Sequence, residues 1–558
     1  YSPRSAINTT INSSHTSSIE TTDQGPHTII IEAGGTLGNN GNNNRIIYAH
    51  ASGSNTLTLT NLTNNGTING KVSVENNGNF TGTIAVNTFE NKGQINGQIY
   101  MGIWGSNSGT LNIDKFENSG TITASNNDKG IFFEGKNTHI ETFTNSGFIS
   151  AGKGLDIGNI GSIKTFTNSG TIQGTEAGML VNTKINTFTN KGLINSSGSG
   201  YWSNGVWVSG STDIKTFVND GIIQGGFTAI RSSGGTIEHF INNGTMNGSS
   251  ATVYIQNSII KTLENKGIIN STSDIDSGGA IKLENDGTIE NIINTGTINS
   301  VVSGIHVSYG KFGTLTIKDG GIVYGKTAGI WVNQWQTLGD LYIDGGKNTS
   351  KNGTVSGIYS DNYGISLDVG SKTSKIELKN GGIIQGSVNG IKLSDAASLS
   401  GEMILSGEGS RVEGGSGAGI SNESGKIEGS IKVEDGATVT SSSGQAISNS
   451  GSGSITGGIT ISGENTKLEG NIVNTDSASI GSDIKIEDGA KVEGGLVNQG
   501  NGAISGSVQV SGGSTINSIT NTGNGAISGS ITVDKDSKLD SITNTSNSST
   551  GISGSITN

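Results

Sequence analysis

The sequence lacks what most proteins of its length use to hold a fold together or to perform chemistry. It has no cysteine, which excludes disulfide bonds and thiol chemistry. It also has only 2 prolines among 558 residues. Hydrophobic residues make up only 31% of the chain, a fraction typical of disorder. Disordered chains are also rich in proline and charge, however, and this chain is not. A repetitive β structure with a thin core is the class that remains.

Basic clusters and long apolar runs are missing too. The net charge is −12 and no run of lysine or arginine forms a basic patch, so we expect no nucleic-acid partner. No apolar segment approaches the roughly 20 residues that cross a bilayer, so we expect no membrane insertion of this segment. The chain begins at Tyr1 without methionine and ends within a repeat at Asn558, which indicates part of a longer precursor.

The main signal is an internal repeat of the form apolar-x-Asn-x-Gly-x-Ile. It recurs at intervals of 20 to 29 residues, led by Leu62, Phe89, Phe116, Phe143, Phe166, Phe188, Phe217, Phe240, Leu263 and Leu283. A second motif, Gly-Ile-x-Val, precedes each unit and alternates with period two, which is typical of a half-buried strand. From about residue 311 the motif changes to Ile-x-Val-x-Asp-Gly, as at 431–436 and 484–489, while the period persists.

Each repeat of roughly 25 residues has room for three short strands, which form one rung of a stack. The sequence therefore predicts an all-β, right-handed parallel β-helix of about 22 rungs, a β-solenoid. We expect an N-terminal cap at 1–30, Phe-rich rungs at 31–310, and a continuation of the coil at 311–558.

Three positions of the motif have predicted structural roles. The phenylalanine column should lie inside the coil with its rings near those of adjacent rungs. The asparagine column, from Asn91 to Asn242, suits a corner with left-handed backbone and an amide ladder between rungs. Gly93 and its equivalents should supply a second unusual φ angle.

These repeats resemble the passenger domains of autotransporters, the proteins of type V secretion. The resemblance is closest to the Asn-rich passengers of Campylobacter and Helicobacter, which carry similar Phe-Thr-Asn-Ser-Gly-Thr-Ile units. That unit stands intact at 166–172, with a Phe-Ile variant at 143–149, and the resemblance covers roughly residues 55–558. It implies export to the bacterial cell surface or beyond, a translocator β-barrel in the full-length precursor, and a function in adhesion, toxicity or proteolysis.

The sequence gives little sign of catalysis. Its Ser-Gly pairs lie at repeat turns outside the Gly-Asp-Ser-Gly context of protease passengers, and its 6 histidines are dispersed. A polysaccharide lyase or hydrolase needs clustered carboxylates, whereas Asp435 and Asp488 lie in Asp-Gly turns. No calcium-binding repeat is present, so we expect no metal, no cofactor and no catalytic residue. We expect a non-enzymatic adhesin and virulence factor; a toxin-like passenger or a polysaccharide enzyme remains the alternative.

One surface position stands out, the middle residue of each Gly-Ile-x-Val strand. Because Val206 and Val208 point inward, Trp207 must point outward. In successive repeats this position is predicted to hold Trp104, Phe132, Asp156, Leu180, Trp207, Arg231, Tyr254, Lys282, His306, Trp331, Tyr359, Lys392, Ser421 and Ser448. The predicted binding residues are Trp104, Phe132, Trp207, Arg231, Tyr254, His306, Trp331 and Tyr359, an exposed strip for a host-cell receptor or glycan, or for sibling passengers. Alternatively, a loop covers this face or the stacked side chains only stabilise the sheet.

Overall fold

The computed structural model describes residues 7–22, 24–39, 44–274, 278–346 and 355–558. Its described residues form β-strands and turns, with no helix among them. The strands pair in parallel, each with its equivalents one turn before and one turn after, and build a β-solenoid of about 20 turns. This confirms the predicted parallel β-helix.

The chain divides into two compact units, one of residues 1–263 and 268–270 and the other of residues 264–267 and 271–558. The predicted domain boundaries near residues 30 and 310 stay predictions. In both units a turn runs through three ladders of stacked strands. We call them the core ladder, the short ladder and the outer ladder, and the outer ladder contains the Gly-Ile-x-Val strands.

In the first unit, the core ladder consists of Asn8–Ile11, Gln24–Ile31, Thr56–Asn64, Thr83–Asn91, Thr110–Asn118, Thr138–Asn145, Ser162–Asn168, Lys184–Asn190, Asp213–Asn219 and Thr236–Asn242. The short ladder consists of Ser14–His15, Thr36–Leu37, Thr67–Asn69, Gln94–Asn96, Thr121–Thr123, Leu193–Ser196, Ile222–Gln224, Thr245–Gly248 and Ile268–Ser271, and the core ladder also includes Ile259–Asn265. The outer ladder consists of Ile19–Thr21, Arg45–Gly53, Lys71–Phe80, Ile99–Gly102, Lys129–Glu134, Asn204–Val208, Thr228–Ser232 and Val253–Gln256. Two long strands, Phe148–Ile157 and Thr171–Val181, belong to both of the latter ladders.

In the second unit, the core ladder begins with Gly287–Asn294, Gly310–Ile317, Thr337–Asp344 and Lys372–Lys379. It continues as strand pairs, from Ser398–Leu399 with Met403–Ser406 to Ala526–Ile527 with Ile531–Val533. The short ladder consists of Thr297–Ser300, Ile322–Gly325, Gly357–Ser360, Ile383–Gly386 and Arg411–Gly414. The outer ladder consists of Gly279–Glu284, Ser303–Val307, Ala328–Val332, Tyr363–Leu367, Asn389–Leu393 and Ile420–Glu423. Both ladders then continue in Thr438–Ser450, Lys467–Asn474, Lys491–Asn498, Thr515–Asn521 and Lys538–Asn544.

The segment predicted as a cap already contains stacked strands. Asn8–Ile11 pairs in parallel with Gln24–Ile31, which in turn pairs with Thr56–Asn64. Residues 1–6 of that segment lie outside the described residues. The described part of the segment therefore contributes to the core ladder in the same way as later turns.

The phenylalanine column lies in the interior, as predicted. From Phe89 to Phe240 the rings have no exposed surface, and the centroids of adjacent rings are 4.3 to 5.1 Å apart. Leu283, predicted as a member of the column, instead pairs with Val307 in the outer ladder, and Ile292 holds the equivalent core position beside Leu315. The error arose because Leu-Glu-Asn-Asp-Gly at 283–287 imitates the repeat motif.

The asparagine column forms the predicted amide ladder. From Asn64 to Asn242, each buried Nδ2 donates to the Oδ1 of the equivalent asparagine one turn on, at 2.7 to 2.8 Å. Nδ2 also bonds within its own turn, as from Asn91 to the carbonyl oxygen of Gly93 at 3.3 Å. These bonds satisfy polar groups that would otherwise be costly to bury.

The predicted left-handed backbone at this corner is wrong. Neither Asn91 nor Gly93 has a positive φ angle. Glycine is required there for space, because a Cβ atom on Gly93 would lie 2.0 Å from the carbonyl oxygen of Gly66 in the preceding turn. The contact joins different turns of the coil, so a single repeat read alone does not reveal it.

The Asp-Gly turns of the second unit behave as predicted. Asp435 and Gly436 have φ angles of 54° and 88°, and Asp488 and Gly489 have 59° and 85°. Two consecutive residues with positive φ are the requirement of a type I′ turn, which Asp-Gly meets at little steric cost. These aspartates have a structural role in the turn.

Candidate functional site

The outer ladder brings most of the predicted binding residues into columns. In the first unit, Trp207 pairs with Leu180 on one side and with Arg231 on the other, and Arg231 pairs with Tyr254. Phe132 joins the same column through Asp156. In the second unit, His306 pairs with Lys282 and Trp331. The predicted register is confirmed for these residues.

Two predicted members do not belong to these columns. Tyr100 pairs with Phe132, and Trp104 lies beyond the end of that strand. Tyr359 lies in the short ladder, whereas Ser366 is the residue paired with Trp331. In both cases a Gly-Ile-aromatic sequence, Gly102-Ile-Trp or Gly357-Ile-Tyr, matches the outer-strand motif. The outer strand of the same turn is Ile99–Gly102 or Tyr363–Leu367 instead.

The prediction of a freely exposed strip is also wrong for much of the column. Arg231, Tyr254 and His306 are only 5%, 4% and 2% exposed, while Trp207 and Trp331 are half-buried. Strands of adjacent turns are roughly 4.8 Å apart, so long side chains on successive strands cover one another. The rings of His306 and Trp331, for example, stack with centroids 4.6 Å apart. Period-two alternation gives the direction of a side chain but not what lies above it.

A loop covers the column at Arg231, as the alternative interpretation allowed. Tyr201 and Trp202 precede the strand Asn204–Val208, and the guanidinium carbon of Arg231 lies 4.3 Å from the ring centroid of Tyr201 and 4.7 Å from that of Trp202. Its Nη2 donates to the Tyr201 hydroxyl at 2.9 Å and to Oε1 of Gln256 at 3.0 Å. Cation–π contacts of this kind contribute about 0.5–2 kcal/mol each. Arg231 therefore holds the loop in place.

The covering aromatics themselves face solvent. Tyr201 is 41% and Trp202 is 50% exposed. Neither residue lies in a repeated motif, so the repeats did not point to them. Their one sequence signal is a pair of adjacent aromatics inside a segment of glycine and serine, residues 197–205.

The first unit also carries a charged groove beside the column, with a volume of 470 Å³. The Tyr100 hydroxyl donates to Oε2 of Glu134 at 2.9 Å, and Arg45 forms an ion pair with Glu75 at 2.9 Å. Lys71 lies over the Tyr100 ring, 5.1 Å from its centroid. Aromatic rings, three carboxylates and three cations thus meet in one depression, since Asp128 and Lys129 also line it.

Burial controls the acid–base properties of this groove. The Glu75 side chain is only 4% exposed, and this desolvation raises its pKa, although the cations Arg45 and Lys71 act in the opposite direction. Burial and the hydrogen bond to Glu134 raise the pKa of Tyr100. Glu75 is therefore more easily protonated than an ordinary glutamate.

In the second unit, exposed aromatics lie at the corner between the outer and core ladders. Tyr309 is 54% and Trp335 is 68% exposed. Trp335 has a φ angle of 65°, a left-handed conformation that costs a side chain with a Cβ about 1–2 kcal/mol. Strained residues of this kind cluster at ligand-binding sites. Neither residue lies in a repeated sequence motif, so the repeats did not point to either of them.

Within the described ranges, no group of three or more histidine, aspartate or glutamate side chains is placed to hold a metal ion. The same residues include no helix long and apolar enough to cross a membrane. The chain matches no protein-family model, no curated protein and no solved structure.

Proposed function

We propose that the chain is a non-enzymatic adhesin, the passenger of a bacterial autotransporter, which is exported to the cell surface and binds host cells. One observation carries this proposal. The strongly exposed tryptophan and tyrosine residues of the described chain all flank the outer ladder: Trp104, Tyr201, Trp202, Tyr309 and Trp335.

The exposed aromatics have the properties of binding anchors. Tryptophan and tyrosine dominate binding hot spots because they bury a large area with little loss of conformational entropy. Several are held in place before any partner arrives. The indole nitrogen of Trp104 donates to the carbonyl oxygen of Asn76 at 2.9 Å, and the Tyr201 hydroxyl accepts a bond from Arg231. Such preorganisation lowers the entropic cost of association.

The scaffold fits an exported passenger. Each turn is stabilised by the turns next to it, through stacked rings and amide ladders, so the coil needs no disulfide bond. The repeat units that resemble Asn-rich passengers are the ones that supply these contacts. We therefore assign the repeats to the scaffold and the adhesive contacts to the non-repeated aromatics.

Cell binding of the whole chain tests the proposal. We expect the labelled chain to bind host cells saturably, and the double variant Tyr201→Ser, Trp202→Ser to bind more weakly with an unchanged circular dichroism spectrum. The matched control is Ile222→Ser, which removes an apolar side chain that is 43% exposed in the short ladder. Absence of saturable binding, or equal weakening by the control, would contradict the proposal.

A polysaccharide lyase or hydrolase is the second candidate, and the charged groove favours it. Glu75 with its raised pKa and Glu134 are a pair of carboxylates beside aromatic rings, a combination that glycan-cleaving enzymes use. Incubation with neutral and uronate polysaccharides should release no reducing ends or unsaturated products if the adhesin proposal is right. Release that is abolished by Glu75→Gln would establish the enzyme instead.

A further inference from the structure

Trp335 occupies a corner of the coil at which the backbone is in the left-handed conformation in successive turns. The equivalent corners of the next two turns hold Gly370 and Ala396, and the three φ angles are 65°, 67° and 56°. The backbone contacts repeat as well, since Trp335 N donates to the Val369 carbonyl at 3.0 Å and Gly370 N to the Asp395 carbonyl at 2.9 Å. Glycine adopts this conformation without penalty. The needs of the coil therefore do not explain a tryptophan here.

The other described residues with positive φ are glycine, asparagine, aspartate, serine or alanine. Trp335 is the one large side chain among them. Its ring lies over Gly370, where an added Cβ would come within 2.2 Å of the indole Cε3. The indole is thus seated on a surface shaped for it, although it is 68% exposed and adds little to the core.

The corner around Trp335 is rigid. The Gln336 backbone nitrogen donates to the carbonyl oxygen of Asn333 at 3.1 Å, which closes the turn. The Gln336 side chain accepts a bond from Gly310 N at 2.9 Å and donates to the Gln334 carbonyl at 3.1 Å. These bonds hold the backbone from which the indole projects.

Trp335 and Tyr309 border a cavity of 390 Å³. The polar side chains that line it besides these two rings include Ser308, Asn333, Gln334 and Asp368. Asp368 is the only charged residue among the described residues of the lining. The cavity thus combines exposed aromatic faces with hydroxyl, amide and carboxylate groups, and it offers no cation.

Two residues of the outer ladder, His306 and Trp331, contact the side chains that line the cavity. Oδ2 of Asp368 accepts a bond from the Trp331 indole at 2.8 Å, and the Trp331 ring stacks on His306. Nε2 of His306 lies 3.1 Å from Oδ1 of Asn333. His306 and Trp331, which the sequence pointed to as ligand contacts, act here as positioning residues for Asp368 and Asn333.

We propose that this cavity binds a neutral hexopyranose residue of a host glycan. A sugar ring carries C–H bonds on one face, which pack against an aromatic ring, and hydroxyl groups around its edge, which pair with amides and carboxylates. Sialic and uronic acids would meet Asp368 without a compensating cation, so neutral sugars are preferred. The inference rests on the proposed adhesive function and names the ligand class of one of its sites.

The test uses the full chain and a panel of immobilised oligosaccharides. The panel contains neutral glycans that end in galactose, glucose, mannose or N-acetylglucosamine, together with sialylated and sulfated counterparts. We expect binding to neutral members, and at least tenfold weaker binding for Trp335→Gly, whose melting temperature should stay equal or rise because glycine suits the corner. Tyr309→Ala should weaken the same interactions. Ile222→Ser, which removes an exposed apolar side chain of the short ladder outside the cavity, should leave them unchanged.

The outcomes separate this inference from the proposed function. If the chain binds host cells but no neutral glycan, or if Trp335→Gly binds the panel as the parent chain does, the sugar site is wrong while the adhesin stands. If the panel is bound through Trp335 but host cells are not bound, the adhesin fails while the sugar site stands. Preference for acidic members, or binding of a cell-surface protein that persists after removal of all glycans, would also overturn the sugar assignment.

Discussion

A residue inside this coil is surrounded mainly by its counterparts in the adjacent turns. The Phe166 ring has no exposed surface and stacks on the rings of Phe143 and Phe188, at 4.9 and 4.6 Å. Phe166→Asp would bury an unpaired carboxylate among these rings, so we expect a loss of at least about 4 kcal/mol in the free energy of unfolding. Denaturant titration measures the loss. Thr167→Asp places the same charge on the outward side of the strand and should cost far less.

The raised pKa of Glu75 predicts a pH-dependent stability. A pKa that is higher in the folded state than in the unfolded state means that stability is greatest in acid and falls as the pH rises through the folded-state value. Glu75→Gln removes this dependence, so its stability relative to the parent chain should increase from pH 4 to pH 7. Urea midpoints at both pH values test the sign. A relative stability that falls over this range would contradict the assigned effect of burial.

At the scale of one element, the corner glycines decide whether turns can approach each other. A Cβ on Gly147 would lie 2.0 Å from the carbonyl oxygen of Gly120, so Gly147→Ala should destabilise the first unit by about 1–3 kcal/mol. Gly200→Ala is the matched control, because nothing lies within 4 Å of a Cβ there and its φ is not positive. Thermal melting of the two variants should differ clearly. Equal melting temperatures would mean that the close approach of turns does not require glycine at position 147.

The outer ladder predicts a second contrast between buried and exposed aromatics. Tyr254 is 4% exposed, and its hydroxyl accepts a bond from Gln256 at 2.8 Å beside the Arg231 guanidinium. We expect Tyr254→Ser to cost about 1–3 kcal/mol of stability, and Trp202→Ser to cost less because that ring is half exposed. Differential scanning calorimetry compares them. If Tyr254→Ser left the melting temperature unchanged, the side chains of this column would be exposed, as the sequence predicted.

The sequence repeat predicts some features of these elements and not others. The Phe166 and Asn168 columns could be predicted because each position recurs with the period of the coil and has a chemistry that suits stacking. The role of Gly147 could not be predicted from one repeat, because it depends on the distance between turns. Tyr201, Trp202 and Trp335 could not be predicted for a related reason: their aromatic side chains do not recur in other turns, although the corner of Trp335 does.

For the molecule as a whole, stability should be local, because each turn contacts mainly its nearest neighbours. The effect of Phe166→Asp should therefore be concentrated in the first unit. Hydrogen exchange should show lost protection in the turns around residue 166, while the amide ladder that runs from Asn422 to Asn544 in the second unit stays protected. Uniform loss of protection across both units would contradict a model of nearest-neighbour stability.

The repeats form the scaffold and the exposed aromatics are assigned to binding; cell binding of one multiple variant tests this claim. The variant replaces Trp104, Tyr201, Trp202 and Tyr309 with serine and Trp335 with glycine, and the control replaces the exposed residues Phe148, Ile222 and Ile268 of the short ladder with serine. We expect the aromatic variant to keep its β-sheet circular dichroism and to lose host-cell binding by a factor of at least ten, while the control binds like the parent chain. Undiminished binding by the folded aromatic variant would contradict the claim.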